Sequence, residues 1–150
     1  MKKIEVREIV EADYHDVCLL EQGRSGSQYQ AAVFVRQAMT LWPSLFLVVE
    51  VDDQSAGYLV GSISGDDPQT GWILRIRVAE PMQRMGVATR MLNRIEESMK
   101  EYEIDRILLS CSPANDGALA LYKKQGYIIR SRETAYFGPG EDRFILGKEI

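Results

Sequence analysis

Between residues 71 and 111 the chain spells out a strand, a tight small-residue turn, an amphipathic helix and a second strand, and this unit limits the possible folds more than any other stretch. GWILRIRVA at 71–79 is rich in β-branched and aromatic residues, and Pro81 helps to end it because proline lacks the N–H that a ladder requires. Val87, Met91, Leu92, Ile95, Met99 and Tyr102 then fall on one helical stripe, with Glu96 and Lys100 spaced as an exposed i,i+4 pair. RILLSC at 106–111 is a buried strand by composition. Strand, crossover helix and strand in one sheet run parallel, so a parallel pair lies within residues 72–111.

The flanking elements read differently. Residues 4–10 predict a strand, and residues 12–22 a helix with Tyr14, Val17, Cys18 and Glu21 at helical spacing and Asp13 as its N-cap. A polar break containing Gly23 and Gly26 precedes a second helix at 28–40. LFLVVEV at 45–51 and AGYLVGSIS at 56–64 form a hairpin across the turn from Asp52 to Ser55. After residue 111, Asn115 is placed to cap a helix that Gly126 can end, and the remaining sequence reads as an antiparallel pair. The expected class is mixed α+β.

Composition narrows the function. A chain of 150 residues, 45% hydrophobic, fits one domain over residues 1–150 with a core that needs no cross-links. Two cysteines (Cys18 and Cys111) and one histidine (His15) suit buried thiols better than a disulfide framework or a zinc site, so no metal is expected. The net charge of -4 argues against a nucleic-acid surface. No stretch approaches the roughly 18 apolar residues of a membrane span, and the expectation is a cytoplasmic chain, monomeric or homodimeric, without a membrane partner.

The turn QRMGVA, from Gln83 to Ala88, joins a strand end to a helix start. Several backbone N–H groups there lack intrahelical partners, and the helix dipole adds partial positive charge. Gly86 and Ala88 keep the turn small enough for an anion to approach the backbone. Close helix–strand packing would use the same small residues, and spacing alone leaves both readings open.

Together, IRVAEPMQRMGVATRML and SPANDGALALYKKQGY resemble the GCN5-related N-acetyltransferase (GNAT) family, whose coenzyme A motif is Gln/Arg-x-x-Gly-x-Gly/Ala and whose later helix ends Leu-Tyr-x-Lys-x-Gly-aromatic. The resemblance covers essentially the whole chain. It implies a mixed, mostly antiparallel sheet of about seven strands with helices on both faces. It also implies a splayed parallel pair, residues 72–79 and 106–112, that admits the pantetheine arm of acetyl-CoA. The cofactor-binding residues it implies are Gln83, Arg84, Met85, Gly86, Val87, Ala88 and Thr89 at the pyrophosphate. Ile76 and Val78 would offer main-chain groups to the arm, and Asn115 would contact it from the other side. Tyr122 is the implied catalytic acid, protonating the departing thiolate. Helical spacing alone favours Tyr122 as a core aromatic beside Leu119 and Leu121, and Asn115 can serve as a helix cap as well as a contact.

AYFGPGEDRFIL resembles one branch of that family, the N-terminal protein acetyltransferases, including the bacterial ribosomal-protein alanine acetyltransferase. The resemblance implies that this loop closes over a peptide near Tyr136, although an ordinary hairpin turn at Pro139 and Gly140 reads the same way. Two departures stand out. Positions where family members carry a base are Ser110 and Trp72 here, leaving water, a main-chain carbonyl or a carboxylate such as Glu21 or Glu141. The segment Gln22–Ser27, which shapes the acceptor pocket, is Gly/Ser-rich rather than proline- and aromatic-rich. Glu21, Tyr136 and Glu141 are therefore the candidate acceptor-side residues. Strand alternation puts Arg75 and Arg77 on one face, opposite Trp72, Leu74, Ile76 and Val78, where they could attract a carboxylate, the coenzyme phosphates or only solvent.

Deprotonating an α-amine of pKa about 7.7–8.0 near pH 7.4 costs only about 1 kcal/mol, against about 4 for a lysine side chain. A site without a strong base favours the first. The expected activity is acetyl transfer from acetyl-CoA to a primary amine, preferably a peptide or protein N-terminus. A small-molecule amine acceptor and a coenzyme A-binding domain without turnover are the alternatives.

Overall fold

The computed structural model describes residues 2–150. Seven strands form one sheet in the order β1-β2-β3-β4-β5-β7-β6. They are β1 (Ile4–Glu8), β2 (Phe46–Val51), β3 (Gln54–Ile63), β4 (Thr70–Val78), β5 (Arg106–Cys111), β6 (Ile128–Glu133) and β7 (Arg143–Glu149). Every pairing is antiparallel except β4 with β5. The β2–β3 turn places Asp52 and Asp53 at φ 50° and 65°, the left-handed pair of a type I′ hairpin.

Helices cover both faces. On one face α1 (Tyr14–Ser25) and α2 (Gln28–Leu41) bury Val17, Val35 and Ala38 against Phe46, Val48, Tyr58 and Val60. On the other, α3 (Val87–Glu101) and α4 (Asp116–Lys124) bury Met91, Leu92, Ile95, Met99 and Leu119 against Leu47, Leu59, Ile73, Ile107 and Leu109. Alternate residues of β2 and β3 feed the two cores.

Several local expectations are corrected. Helix α1 runs through Gly23 and stops only at Gly26, whose φ of 73° closes the C-terminus. Asp13 does not cap α1 with its side chain. Its carboxylate accepts from both terminal nitrogens of Arg7 at 2.8 Å and from the Val10 N–H at 2.8 Å, and the guanidinium contacts hold its pKa below the usual value. Tyr102 lies just beyond α3 and is exposed. Glu96 turns from Lys100 to Lys148, at 2.7 Å, and also accepts from the Tyr127 hydroxyl at 3.3 Å.

One irregularity positions the site. Val60 pairs with Arg75 and Gly61 with Ile73, so Leu74 is an extra residue in β4. This bulge reverses the alternation. Ile73, Ile76 and Val78 share the α3 face, while Trp72 joins Arg75 and Arg77 on the α1–α2 face, contrary to the arrangement expected from uninterrupted alternation.

Candidate active site

The parallel pairing of β4 with β5 extends only from Thr70–Arg106 to Ile73–Leu109. Beyond that point β4 continues to Val78 and β5 to Cys111 without pairing to each other. The strands part where Leu74 bulges. A cavity of about 690 Å³ occupies this gap, and its lining comes from both faces of the sheet. That volume is within the usual range for a ligand site.

On the α3 face the cavity meets the turn 83–89. Arg84 and Gly86 have φ of 65° and 76°, a conformation that costs a non-glycine residue strain. Arg90 N–H reaches Gly86 O at 3.1 Å, but the N–H groups of residues 84–89 donate to no group among the described residues. A row of unpartnered donors at the start of a 15-residue helix is a site for an anion. A Cβ on Gly86 would meet nothing within 4 Å, so the glycine serves the backbone conformation and leaves open space before the turn. Gln83 donates from Nε2 to Val78 O at 3.1 Å, tying the turn back to β4 and occupying that carbonyl.

Of the residues expected to hold the cofactor, Ile76, Val78, Gln83, Arg84, Gly86, Val87, Ala88, Thr89 and Asn115 line the cavity. Met85 does not, and packs onto the core instead. Asn115 caps α4 by accepting from Ala118 N–H at 3.1 Å, and its amide N–H₂ donates to nothing among the described residues. The cap and a ligand contact use different atoms.

Tyr122 lines the cavity from α4 with a ring only 6% exposed, edge-on to Tyr127 at 6.0 Å. Its hydroxyl makes no hydrogen bond among the described residues, and burial pushes its pKa up while the charge of Arg24 opposes that shift. It is a protonated donor without an acceptor among the described residues. Cys111 lies near it, its thiol also pushed up by burial and therefore neutral.

The acceptor-side expectations fare differently. Glu21 is 2% exposed and does not line the cavity. It accepts from the Tyr58 hydroxyl and, at 3.4 Å, from Arg75 Nε, while the Arg75 guanidinium lies 4.6 Å over the Phe34 ring. Glu21 therefore positions Arg75. Tyr136 stacks edge-on against Phe137 at 4.8 Å, and it is Phe137 that reaches the cavity. Glu141 also stays outside, accepting from Arg143 Nη2 at 2.9 Å. Ser110 lines the cavity; Trp72 does not.

Arg24, Phe137 and Arg143 were not foreseen as lining residues. Phe137 was legible as half of the aromatic pair. Nothing local distinguishes Arg24 or Arg143 from solvated arginines, because only the packing of α1 and β7 around the gap brings them together.

Comparison with known proteins agrees with this geometry. Residues 5–127 match the Acetyltransferase (GNAT) family. The chain belongs to the GNAT family. Among relatives of this GNAT chain, the N-alpha-acetyltransferase MAK3 of Arabidopsis thaliana is 32% identical over 113 residues, covering 74% of this chain and 59% of its own length. The chain thus spans about three fifths of that relative. The fold is shared with Ard1 from Thermoplasma volcanium, at a TM-score of 0.86 and 24% identity over 98% of this chain and 97% of that one. It is shared too with Arabidopsis thaliana Naa50, solved in complex with the bisubstrate analogue CoA-Ac-MVNAL, at a TM-score of 0.83 and 15% identity over 98% and 99%.

Proposed function

We propose that this GNAT chain transfers the acetyl group of acetyl-CoA to the α-amine of a peptide or protein N-terminus. The observation that carries the reading is a cavity lined from both faces of the sheet, with N–H donors on one face and a Tyr122 hydroxyl within it that have no partner among the described residues, and Arg24, Phe137 and Arg143 lining it elsewhere. The donor set suits coenzyme A: backbone N–H groups 84–89 for the pyrophosphate, the edge of β4 left unpaired by β5 at Ile76 and Val78, where Gln83 takes only the Val78 carbonyl, for the pantetheine, and the Asn115 amide beside it. The relative named an N-alpha-acetyltransferase supports the choice of acceptor, as does the peptide-bearing analogue bound to the structural relative Naa50.

Acetyl-CoA supplies a thioester whose carbonyl carbon accepts the amine and whose sulfur leaves with the electron pair. Tyr122 holds the proton that a leaving thiolate requires, and its raised pKa keeps that proton in place at neutral pH. The α1–α2 face admits the amine. No Asp, Glu or His lines the cavity among the described residues, so the amine has to arrive largely neutral or lose its proton to water or a main-chain carbonyl. An α-amine does so at a cost of about 1 kcal/mol, a lysine at about 4.

The test is thiol release from acetyl-CoA with a panel of short peptides and small amines. Release that requires a peptide with a free N-terminus is expected. Acetyl-CoA binding without acceptor-dependent release would instead favour a binding domain that does not turn over.

A further inference from the structure

Among the described residues, every charged side chain that lines the cavity is an arginine: Arg24, Arg75, Arg84 and Arg143. The chain as a whole has 18 lysines and arginines against 22 aspartates and glutamates, so this lining departs from the average surface. Arg84 belongs to the turn on the α3 face. The other three lie on the α1–α2 face: Arg24 in α1, Arg75 beside Glu21 and Phe34, and Arg143 on β7 with its side chain on the same side of the sheet as Ile145. The sheet separates them from the donors of residues 84–89, so the pyrophosphate does not account for them.

Their partners differ. Arg75 is committed to Glu21 and the Phe34 ring. Arg143 pairs with Glu141, an exposed residue outside the cavity, and lies 5.0 Å over Phe137, which does line it. Arg24 makes no hydrogen bond or ion pair among the described residues, and its charge acts on the Tyr122 hydroxyl. Of these three cations, Arg24 thus has no counter-charge among the described residues, and Arg143 is held from outside the cavity by the exposed Glu141 carboxylate and, at 2.8 Å, the Asp142 main-chain oxygen.

We infer that Arg24 and Arg143 form a carboxylate-recognition pair at the acceptor end of the cavity, and that the preferred acceptor is an amine bearing a carboxylate within its first two residues. A planar guanidinium matches a carboxylate through two parallel N–H···O bonds, and a cleft lined by one sign of charge concentrates ligands of the other. The same cations oppose an ammonium and so favour the neutral amine that transfer needs. A lysine at the start of the acceptor meets the same opposition.

The inference rests on the proposed acetyltransferase reading, and one experiment separates the two. Peptides that differ only in Ala, Ser, Asp, Glu or Lys at the first or second position are compared by kcat/KM from thiol release, with free aspartate and glutamate as a separate arm. Acidic peptides are expected to exceed neutral ones by about tenfold or more, with lysine peptides lowest and the ratio shrinking at high salt. Arg24→Gln and Arg143→Gln should each cut the acidic-to-neutral ratio about tenfold, mainly through KM, and Arg24→Lys should restore part of it. Acetyl-CoA affinity, set on the other face, reports whether each variant has folded.

Free amino acids outperforming every peptide would keep the arginine pair but assign it to the α-carboxylate of a small acceptor. Neutral peptides turned over as fast as acidic ones, or a ratio unchanged in both glutamine variants, would overturn the inference and leave the acetyltransferase reading intact. No release with any acceptor would overturn both.

Discussion

Removing the buried carboxylate of Glu21 probes how the acceptor side is held. Tyr58 is fully buried and donates its hydroxyl to Glu21, and burial together with that bond keeps the phenol protonated. In Glu21→Ala the hydroxyl loses its acceptor where water cannot replace it, at a cost of about 1–3 kcal/mol. Arg75 loses its counter-charge too, but its side chain is 34% exposed and can turn to solvent, which adds no more than about 1 kcal/mol. The sum is about 1–4 kcal/mol, a large share of the roughly 5–15 kcal/mol that holds a domain together. Glu21→Gln keeps an oxygen acceptor for Tyr58 and loses only the charge, so it should cost about half as much. Urea unfolding, with the midpoint and slope compared across both variants, measures each difference. Combining Glu21→Ala with Tyr58→Phe should recover about 1 kcal/mol or more, because the stranded donor is then gone. If Glu21→Ala lies within about 0.5 kcal/mol of the parent, the buried bond is not what holds this corner.

Three further outcomes follow from the cofactor side. Gly86→Val should fold, since its Cβ meets nothing, but a β-branched residue at φ 76° is strained by about 1–2 kcal/mol. Relief of that strain re-aims the N–H row, so calorimetry should show acetyl-CoA affinity reduced at least about tenfold. Tyr122→Phe should lower kcat about 10²-fold or more with acetyl-CoA affinity retained, as steady-state and binding measurements together would show. The pH–rate profile should rise with the acceptor amine near about 7.7–8.0. Because a general acid works below its pKa and that of Tyr122 is raised above 10.0, the profile should stay level to beyond pH 10. A decline beginning at about pH 8–9 would point to a different acid.

The order of strands and helices was readable because periodicity and punctuation agreed along the chain, from the α3 stripe to the Asn115 cap. What escaped depends on contacts between distant segments. Alternation through residues 72–78 put Trp72 opposite the arginines, but the Leu74 bulge, which depends on pairing with β3, moved it to their side. Glu96 was spaced for Lys100 and found Lys148, which arrives from β7 across the core. Glu21 was visible as a carboxylate on a helix, while its burial under Tyr58 and Arg75 was not. The QRMGVA turn was legible because its chemistry lies in consecutive backbone atoms. The cavity draws Arg24, Phe137 and Arg143 from α1, the 135–142 loop and β7, and no spacing in the sequence joins them.

The most direct measurement is where the acetyl group lands. A peptide with a free N-terminus, an acidic residue at its start and an internal lysine is incubated with acetyl-CoA, and the product is mapped by fragmentation mass spectrometry. Acetylation confined to the α-amine, and abolished when that amine is blocked, is the expected result. Acetyl on the lysine side chain, or an unmodified peptide after acetyl-CoA has demonstrably bound, would contradict a cavity that delivers the acetyl group through the sheet to a peptide N-terminus.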